Sequence, residues 1–192
     1  MADGVAGYDV IGDVHGCAAK LRNLLGELGY RDDDGAFRHP SRTAVFVGDL
    51  IDRGPEQLEV LQIVKAMADA GTARVSMGNH EFNAICYTIP DPARPGEYLR
   101  THSDQHTEQH RAFLTQLSPA EQRHYLDWFA TLPLWLDLGG LRVVHACWHA
   151  PSIRTVRDVC GSDRLRTDEH FIEAARRGSP LYDAVETLLK GP

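Results

Sequence analysis

TAVFVGDLIDRG, residues Thr43–Gly54, begins with five residues of strand character, halts at Gly48-Asp49, and turns polar again at Asp52-Arg53. The same design occurs on either side of it. Tyr8–Ile11 reads as a buried strand ending in Gly12-Asp13, and Ala73–Met77 as another ending in Gly78-Asn79. Between the strands, Leu21, Leu24, Leu25 and Leu28, then Leu58, Leu61, Val64 and Met67, recur at the spacing of a helix's apolar face. Strand, helix, strand, helix, strand predicts an α/β chain with a mostly parallel, buried sheet. Such sheets carry their functional residues just beyond the carboxyl ends of the strands.

The middle of the chain reads differently. PDPARP (Pro90–Pro95) has three prolines in six residues, which predicts an irregular loop. Ser103–Leu117 reads as a polar helix, and Ser118-Pro119-Ala120-Glu121 as a capping box opening a helix to about Ala130. Residues 88–131 are therefore expected to form an insertion or lid beside the strand ends. Leu134–Leu138 and Leu141–His145, joined by Gly139-Gly140, predict a β-hairpin. Helices are expected over 168–177 and 180–190, and with no repeats and no linker the expectation is one domain over 1–192.

Composition narrows the function. The chain has 192 residues, 43 % hydrophobic and 24 % charged, and a formal net charge of −7, which disfavours a dedicated nucleic-acid surface. Carboxylates in excess and ten histidines suit divalent metals instead. Cys17, Cys86, Cys147 and Cys160 are scattered, as for reduced, mostly buried thiols. No stretch has the apolar character of a signal peptide or membrane span, which predicts a cytoplasmic protein with no membrane partner.

The strand ends collect Asp13 and His15, then Asp49, Asp52 and Arg53, then Asn79 and His80; the hairpin adds His145. Any one of these could be a turn or cap residue; converging at one sheet edge, they make a nitrogen and oxygen donor set for divalent ions. One carboxylate can bridge two ions, an arrangement that cleaves phosphate esters. Arg53 offers a bidentate fork for phosphate, and His80 is the candidate leaving-group acid, with Asp52 setting its tautomer.

GDVHG, GDLIDRG and GNHE, in that order and about one β-α unit apart, resemble the calcineurin-like metallophosphoesterases, and in their DRG and GNHE forms the phosphoprotein phosphatase branch. The resemblance runs from about Asp9 to Ala146. It implies a sandwich of two mixed sheets flanked by helices, with Asp13 and His15 on a first metal, Asp49 bridging, and Asn79 and His145 on a second. It implies two divalent ions, with Mn²⁺ expected first and Fe, Zn, Ni or Mg compatible. Asp52 and His80 would form the acid pair and Arg53 would hold the phosphate. The expected reaction is direct attack of metal-bound hydroxide on a small-molecule, nucleotide or phosphoprotein ester, the resemblance extending equally to bacterial serine/threonine phosphatases and to symmetrical diadenosine tetraphosphatases. The alternative is a metallophosphoesterase-like scaffold that binds partners with little catalysis.

Two departures qualify the match. The family carries a further second-metal histidine in a Gly-His context, whereas only His149 and His170 follow His145, which predicts a C-terminally truncated fold. Ser76-Met77 precede GNHE where protein phosphatases carry Leu-Arg, which shifts weight toward nucleotide or other small phosphoesters. Other features have plainer readings. Trp128, Phe129 and Trp135 read as core. His102, His106 and His110, four residues apart, read as a solvated helix face more readily than as an accessory metal site, and His149 as a replacement ligand only secondarily.

Overall fold

The computed structural model describes residues 7–192. Its central sheet has three parallel strands in the order β1 (Gly7–Ile11), β4 (Arg42–Phe46) and β5 (Ala73–Val75), with β4 in the middle. Ile11 pairs with Phe46, and Phe46 with Val75, so the carboxyl ends of all three strands lie level along one edge. The crossovers are the expected helices, α1 (Ala18–Glu27) and α2 (Gln57–Asp69). Val60, Leu61, Val64 and Met67 of α2 are completely buried, each contributing about 1.5–3 kcal/mol of transfer energy. Leu24 of α1 is 38 % exposed: it sits at the rim of the buried stripe that Leu21 and Leu25 define, where it lines a cavity.

Among the described residues, antiparallel strand pairs occur separately, beside one isolated bridge between Pro90 and Tyr98, in two small hairpins. One is the expected β6 (Trp135–Asp137) and β7 (Arg142–Val144). The other, β2 (Arg31–Asp33) and β3 (Ala36–Arg38), is an addition to the expected elements; its signal is Asp34-Gly35, whose φ values of 54° and 80° make the left-handed pair that a two-residue hairpin turn requires. A second addition is α6 (Ala150–Cys160), bracketed by Pro151 in its first turn and Gly161 at φ 64° after its end. His149 ends the loop after β7 at the N-cap position of α6, and its Nδ1 lies 2.8 Å from Ser152 Oγ.

The remaining helices are α3 (Asn79–Cys86), α4 (Asp104–Gln116), α5 (Pro119–Phe129), α7 (Asp168–Ala175) and α8 (Pro180–Lys190). Helices α4 and α5 carry Phe113, Tyr125 and Phe129 into the same apolar core as the sheet, and Trp135 joins them while Trp128 packs at the margin. Of the four thiols only Cys86 is buried and the others are half-buried, fewer than expected; none is in a disulfide.

The strand-end turns approach one another more closely than side chains permit. Gly48 has φ 92°, and a Cβ there would stand 2.2 Å from the Gly78 backbone nitrogen. Strain at a left-handed residue plus this clash sets the expected cost of Gly48→Ala at roughly 2–5 kcal/mol, read as a lower urea midpoint. Gly12→Ala, with nothing within 4 Å of the added methyl, should stay within about 0.5 kcal/mol of wild type.

Candidate metal centre

The turns after β1, β4 and β5, the start of α3, and the end of β7 meet around Asp49. Its Oδ2 lies 3.7 Å from His15 Nε2, 3.5 Å from His145 Nε2 and 3.8 Å from His80 Nε2. Asp13 Oδ2 is 3.7 Å from His15 Nε2, and Asn79 Oδ1 is 3.1 Å from His145 Nε2. Every residue singled out as a metal donor therefore reaches one centre. Asp49 is 3 % exposed, while Asp13 stands at the solvent side with half its side chain open.

Backbone contacts hold the hub in place. The amides of Val14 and His15 donate to the Asp49 carbonyl at 3.0 and 2.9 Å, and its Oδ1 accepts the His80 amide at 3.0 Å. His15, Asp49, Asp52 and Arg53 all have positive φ, from 46° to 70°, a conformation that non-glycine residues adopt only where the surroundings enforce it.

At Asp49 the enforcing group is Glu81. Its fully buried carboxylate accepts the amides of Asp49 and Gly78 at Oε2, at 2.8 and 2.9 Å, and that of Leu50 at Oε1, at 2.8 Å. It clasps the β4 turn to the β5 turn. Burial and the nearby Asp49 charge push its pKa up, while the three amides pull the other way. Its position three residues after Gly78 is the reach-back half of a capping box, a signal present in GNHE itself.

Tautomers separate the histidines into two kinds. His15 and His145 place Nδ1 2.7 Å from the carbonyls of Ile51 and Val47, so each donates there and turns an Nε2 lone pair inward. His15 Nε2 is buried without a hydrogen-bond partner, and His145 Nε2 faces only acceptors, the oxygens of Asn79 and Asp49. Lone pairs gathered on a buried carboxylate repel unless a cation lies among them, so the donor set fits a divalent metal. Two groups satisfy the reach, His15-Asp49-His80 and Asp13-Asp49-His145, and Asp49 belongs to both.

His80 is different. Its Nδ1 is 2.6 Å from Asp52 Oδ2, a carboxylate rather than a carbonyl. Burial disfavours its charged form, but the Asp52 hydrogen bond and the charges of Asp49, Asp52 and Glu81 outweigh that and hold its pKa above the ordinary value. A ring whose proton is favoured by a carboxylate is a poorer ligand than one whose Nδ1 rests on a carbonyl, as in His15 and His145. Arg53 is exposed and has no carboxylate partner among the described residues. It lines a cavity of about 450 Å³ with Asp13, His15, Lys20, Leu21 and Leu24. A larger cavity of about 870 Å³ lies beside α3, α7 and α8 and contains none of the donors; three of its cations, Arg94, Arg176 and Lys190, are already ion-paired.

The three histidines 102, 106 and 110 do not share one solvated helix face: His102 is exposed but lies before α4, His106 is half-buried and His110 is buried. His102 precedes α4 and stacks between Tyr87 and Tyr98 at 3.8 and 4.2 Å. His106 folds back on the Thr101 carbonyl at 2.9 Å. His110 is 5 % exposed, and its Nδ1 lies 2.9 Å from Asp52 Oδ1. The stacking partners and Asp52 are distant in sequence, which is why spacing within the helix did not reveal them.

Parallel strands whose ends converge on a carboxylate ringed by imidazoles define an α/β protein with a metal-type centre. The chain belongs to the calcineurin-like phosphoesterase family, whose profile matches residues 8–184, as the three motifs led one to expect. It is 36 % identical over 146 residues to the bis(5'-nucleosyl)-tetraphosphatase PrpE [asymmetrical] of Bacillus velezensis, covering 72 % of this chain and 55 % of that protein. Against the protein of that name from Bacillus subtilis it is 33 % identical over 162 residues, covering 79 % and 63 %. The chain thus spans somewhat more than half the length of these relatives. Among solved structures it is similar in fold to the cold-active protein-tyrosine phosphatase of a psychrophilic Shewanella, with a TM-score of 0.52, 19 % identity, and coverage of 91 % of this chain and 55 % of that one. No helix among the described residues is long and apolar enough to cross a membrane.

If Asp49 is the hub of a metal site, Mn²⁺ added to chelator-treated protein at about 100 times its Kd should stabilise the fold by about 2.7 kcal/mol, a rise in Tm of roughly 5–10 °C. Asp49→Asn should abolish the rise, and His80→Gln should keep it.

Proposed function

We propose that the chain is a phosphoesterase that uses two divalent cations, Mn²⁺ foremost, and cleaves dinucleoside tetraphosphates asymmetrically. The observation that carries this reading is the pair of imidazoles, His15 and His145, whose Nδ1 atoms are locked on backbone carbonyls so that both Nε2 atoms face Asp49 Oδ2. Asp13 and His15 would hold one cation, Asn79 and His145 the other, with Asp49 shared. When bound, the cations supply an ionised water near neutral pH and neutralise charge on the phosphoryl oxygens.

The rest of the reaction falls to side chains. Arg53, unpaired beside the centre, receives two phosphoryl oxygens through its planar fork. His80, kept protonated by Asp52, points Nε2 toward the centre and delivers its proton to the leaving oxygen as the phosphorus–oxygen bond breaks. Asp52 then stabilises the ring for reprotonation by solvent. The 450 Å³ cavity pairs the cations Lys20 and Arg53 with the apolar wall of Ile11, Val14, Leu21 and Leu24, a lining suited to a phosphate chain with a nucleoside attached. The names of the Bacillus relatives and the Ser76-Met77 pair before GNHE both favour a nucleotide over a phosphoprotein. The scattered reduced thiols suit a cytoplasmic setting.

With Mn²⁺ present, diadenosine tetraphosphate should yield mono- and triphosphate in equal amounts, followed by anion-exchange chromatography, and a chelator should stop the release. His80→Asn should lower kcat about 100-fold, within the range of a lost general acid, while Arg53→Lys should mainly raise KM. Two diphosphate products would overturn the asymmetrical assignment, and no release with any divalent metal would overturn the enzymatic reading of this chain.

A further inference from the structure

The geometry points to His110 as a positioning residue: from helix α4 it holds Asp52 in the orientation that presents the other carboxylate oxygen to His80. The inference rests on the reading of His80 as leaving-group acid. Asp52 is 3 % exposed and each of its oxygens has one imidazole partner, Oδ2 with His80 Nδ1 at 2.6 Å and Oδ1 with His110 Nδ1 at 2.9 Å. With a carboxylate as acceptor, both Nδ1 atoms must donate. The result is a relay of two imidazoles and one carboxylate that spans 58 residues of sequence between Asp52 and His110.

Asp52 needs such a hold. Its φ is 70° and that of Arg53 is 66°, so the turn carrying both residues rests in a conformation that it would leave if unconstrained. Main-chain and amide contacts fix the backbone: the Asp52 amide donates to Gln57 Oε1 at 2.7 Å, and Gln57 Nε2 donates to the Gly54 carbonyl at 2.8 Å. Helix α4 adds Gln116, whose Nε2 donates to the same Gly54 carbonyl at 3.0 Å. None of these contacts sets the rotation of the Asp52 side chain. His110 alone, among the described residues, engages Oδ1, and its ring is itself fixed by stacking on Phe113 at 4.9 Å. Without it, Oδ1 would be a buried acceptor lacking a donor, and the carboxylate would turn to find one, taking Oδ2 away from His80. Helix α4 therefore governs the acid without touching substrate, a role in which residues within 88–131 complete the centre.

The test uses the full chain and three forms: wild type, His110→Phe, which keeps the aromatic packing and removes the donor, and His110→Asn, whose amide nitrogen can take the place of Nδ1. With Mn²⁺, turnover of phenyl phosphate, whose leaving group needs a proton, is compared with that of 4-nitrophenyl phosphate, whose leaving group does not. His110→Phe should lose about 10-fold or more in kcat on phenyl phosphate and little on 4-nitrophenyl phosphate, and His110→Asn should recover most of the loss. Equal losses on both substrates, or none on phenyl phosphate, would overturn the proposal. A second measurement stands apart from turnover. In ¹⁵N-labelled protein with Mg²⁺ in place of paramagnetic Mn²⁺, the Nδ1 protons of His80 and His110 should both resonate far downfield; His110→Phe should shift or broaden that of His80, and His110→Asn should restore it. An unchanged His80 resonance in His110→Phe would refute the positioning role even if the wild type cleaved neither ester, a result that would by itself count against the phosphoesterase reading.

Discussion

One buried carboxylate orders the centre. Glu81 takes two turns that belong to different strands and gives three of their amides a common acceptor. A buried carboxylate is costly unless its lone pairs are filled, and here three amide donors fill them, which makes the closed arrangement of the turns the only satisfied one. Gly48 and Gly78 are the geometric counterpart: no side chain can stand between turns drawn this close. Asp49 then has little freedom left. Its amide is held by Glu81, its carbonyl by the β1 turn and one carboxylate oxygen by α3, so the remaining oxygen faces the three imidazoles.

The centre also shows where conformational strain is kept. Of the described non-glycine residues with left-handed backbone, only Asp34 lies outside it, in a hairpin turn. The other four each belong to a turn whose amides and carbonyls are tied to a neighbouring turn or to Gln57. Strain of about 1–3 kcal/mol per residue is tolerable where that many contacts would have to break to release it.

Much of this was legible in the sequence, for identifiable reasons. The three parallel strands and two crossover helices have clean periodicity and end on Gly-Asp or Gly-Asn, so the sheet edge and the donors on it could be placed without coordinates. The hairpin at Arg31–Arg38 escaped notice because three-residue strands are too short for alternation to show, leaving only the Asp34-Gly35 turn as a marker. Helix α6 leaves its Pro and Gly brackets in the sequence but starts only five residues after His145, too close to the hairpin for its own periodicity to stand apart. The solvated helix face expected of the three histidines fails at His102, which lies outside α4, and at His110, which is buried, because helical spacing carries no information about where the helix begins or what its face meets. His110 meets Asp52, and only the fold brings that pair together.

The turns after β1 and β4 are joined almost wholly by main chain: amides of Val14, His15 and Gly16 donate to Asp49 and Leu50 carbonyls, and Gly54 and Glu56 amides return to His15 and Gly16 carbonyls. Stitches of this kind are indifferent to side-chain identity except at Gly16 and Gly54, where an added Cβ would strike Gln57 or the His15 and Gly16 carbonyls. Val14, Leu50 and Ile51, which fill the space beneath them, can exchange one apolar residue for another as a lineage drifts, and the positions of His15 and Asp49 stay where the backbone puts them. The centre is in that sense buffered against the divergence of its own loops, and its geometry can outlast most of the sequence that surrounds it.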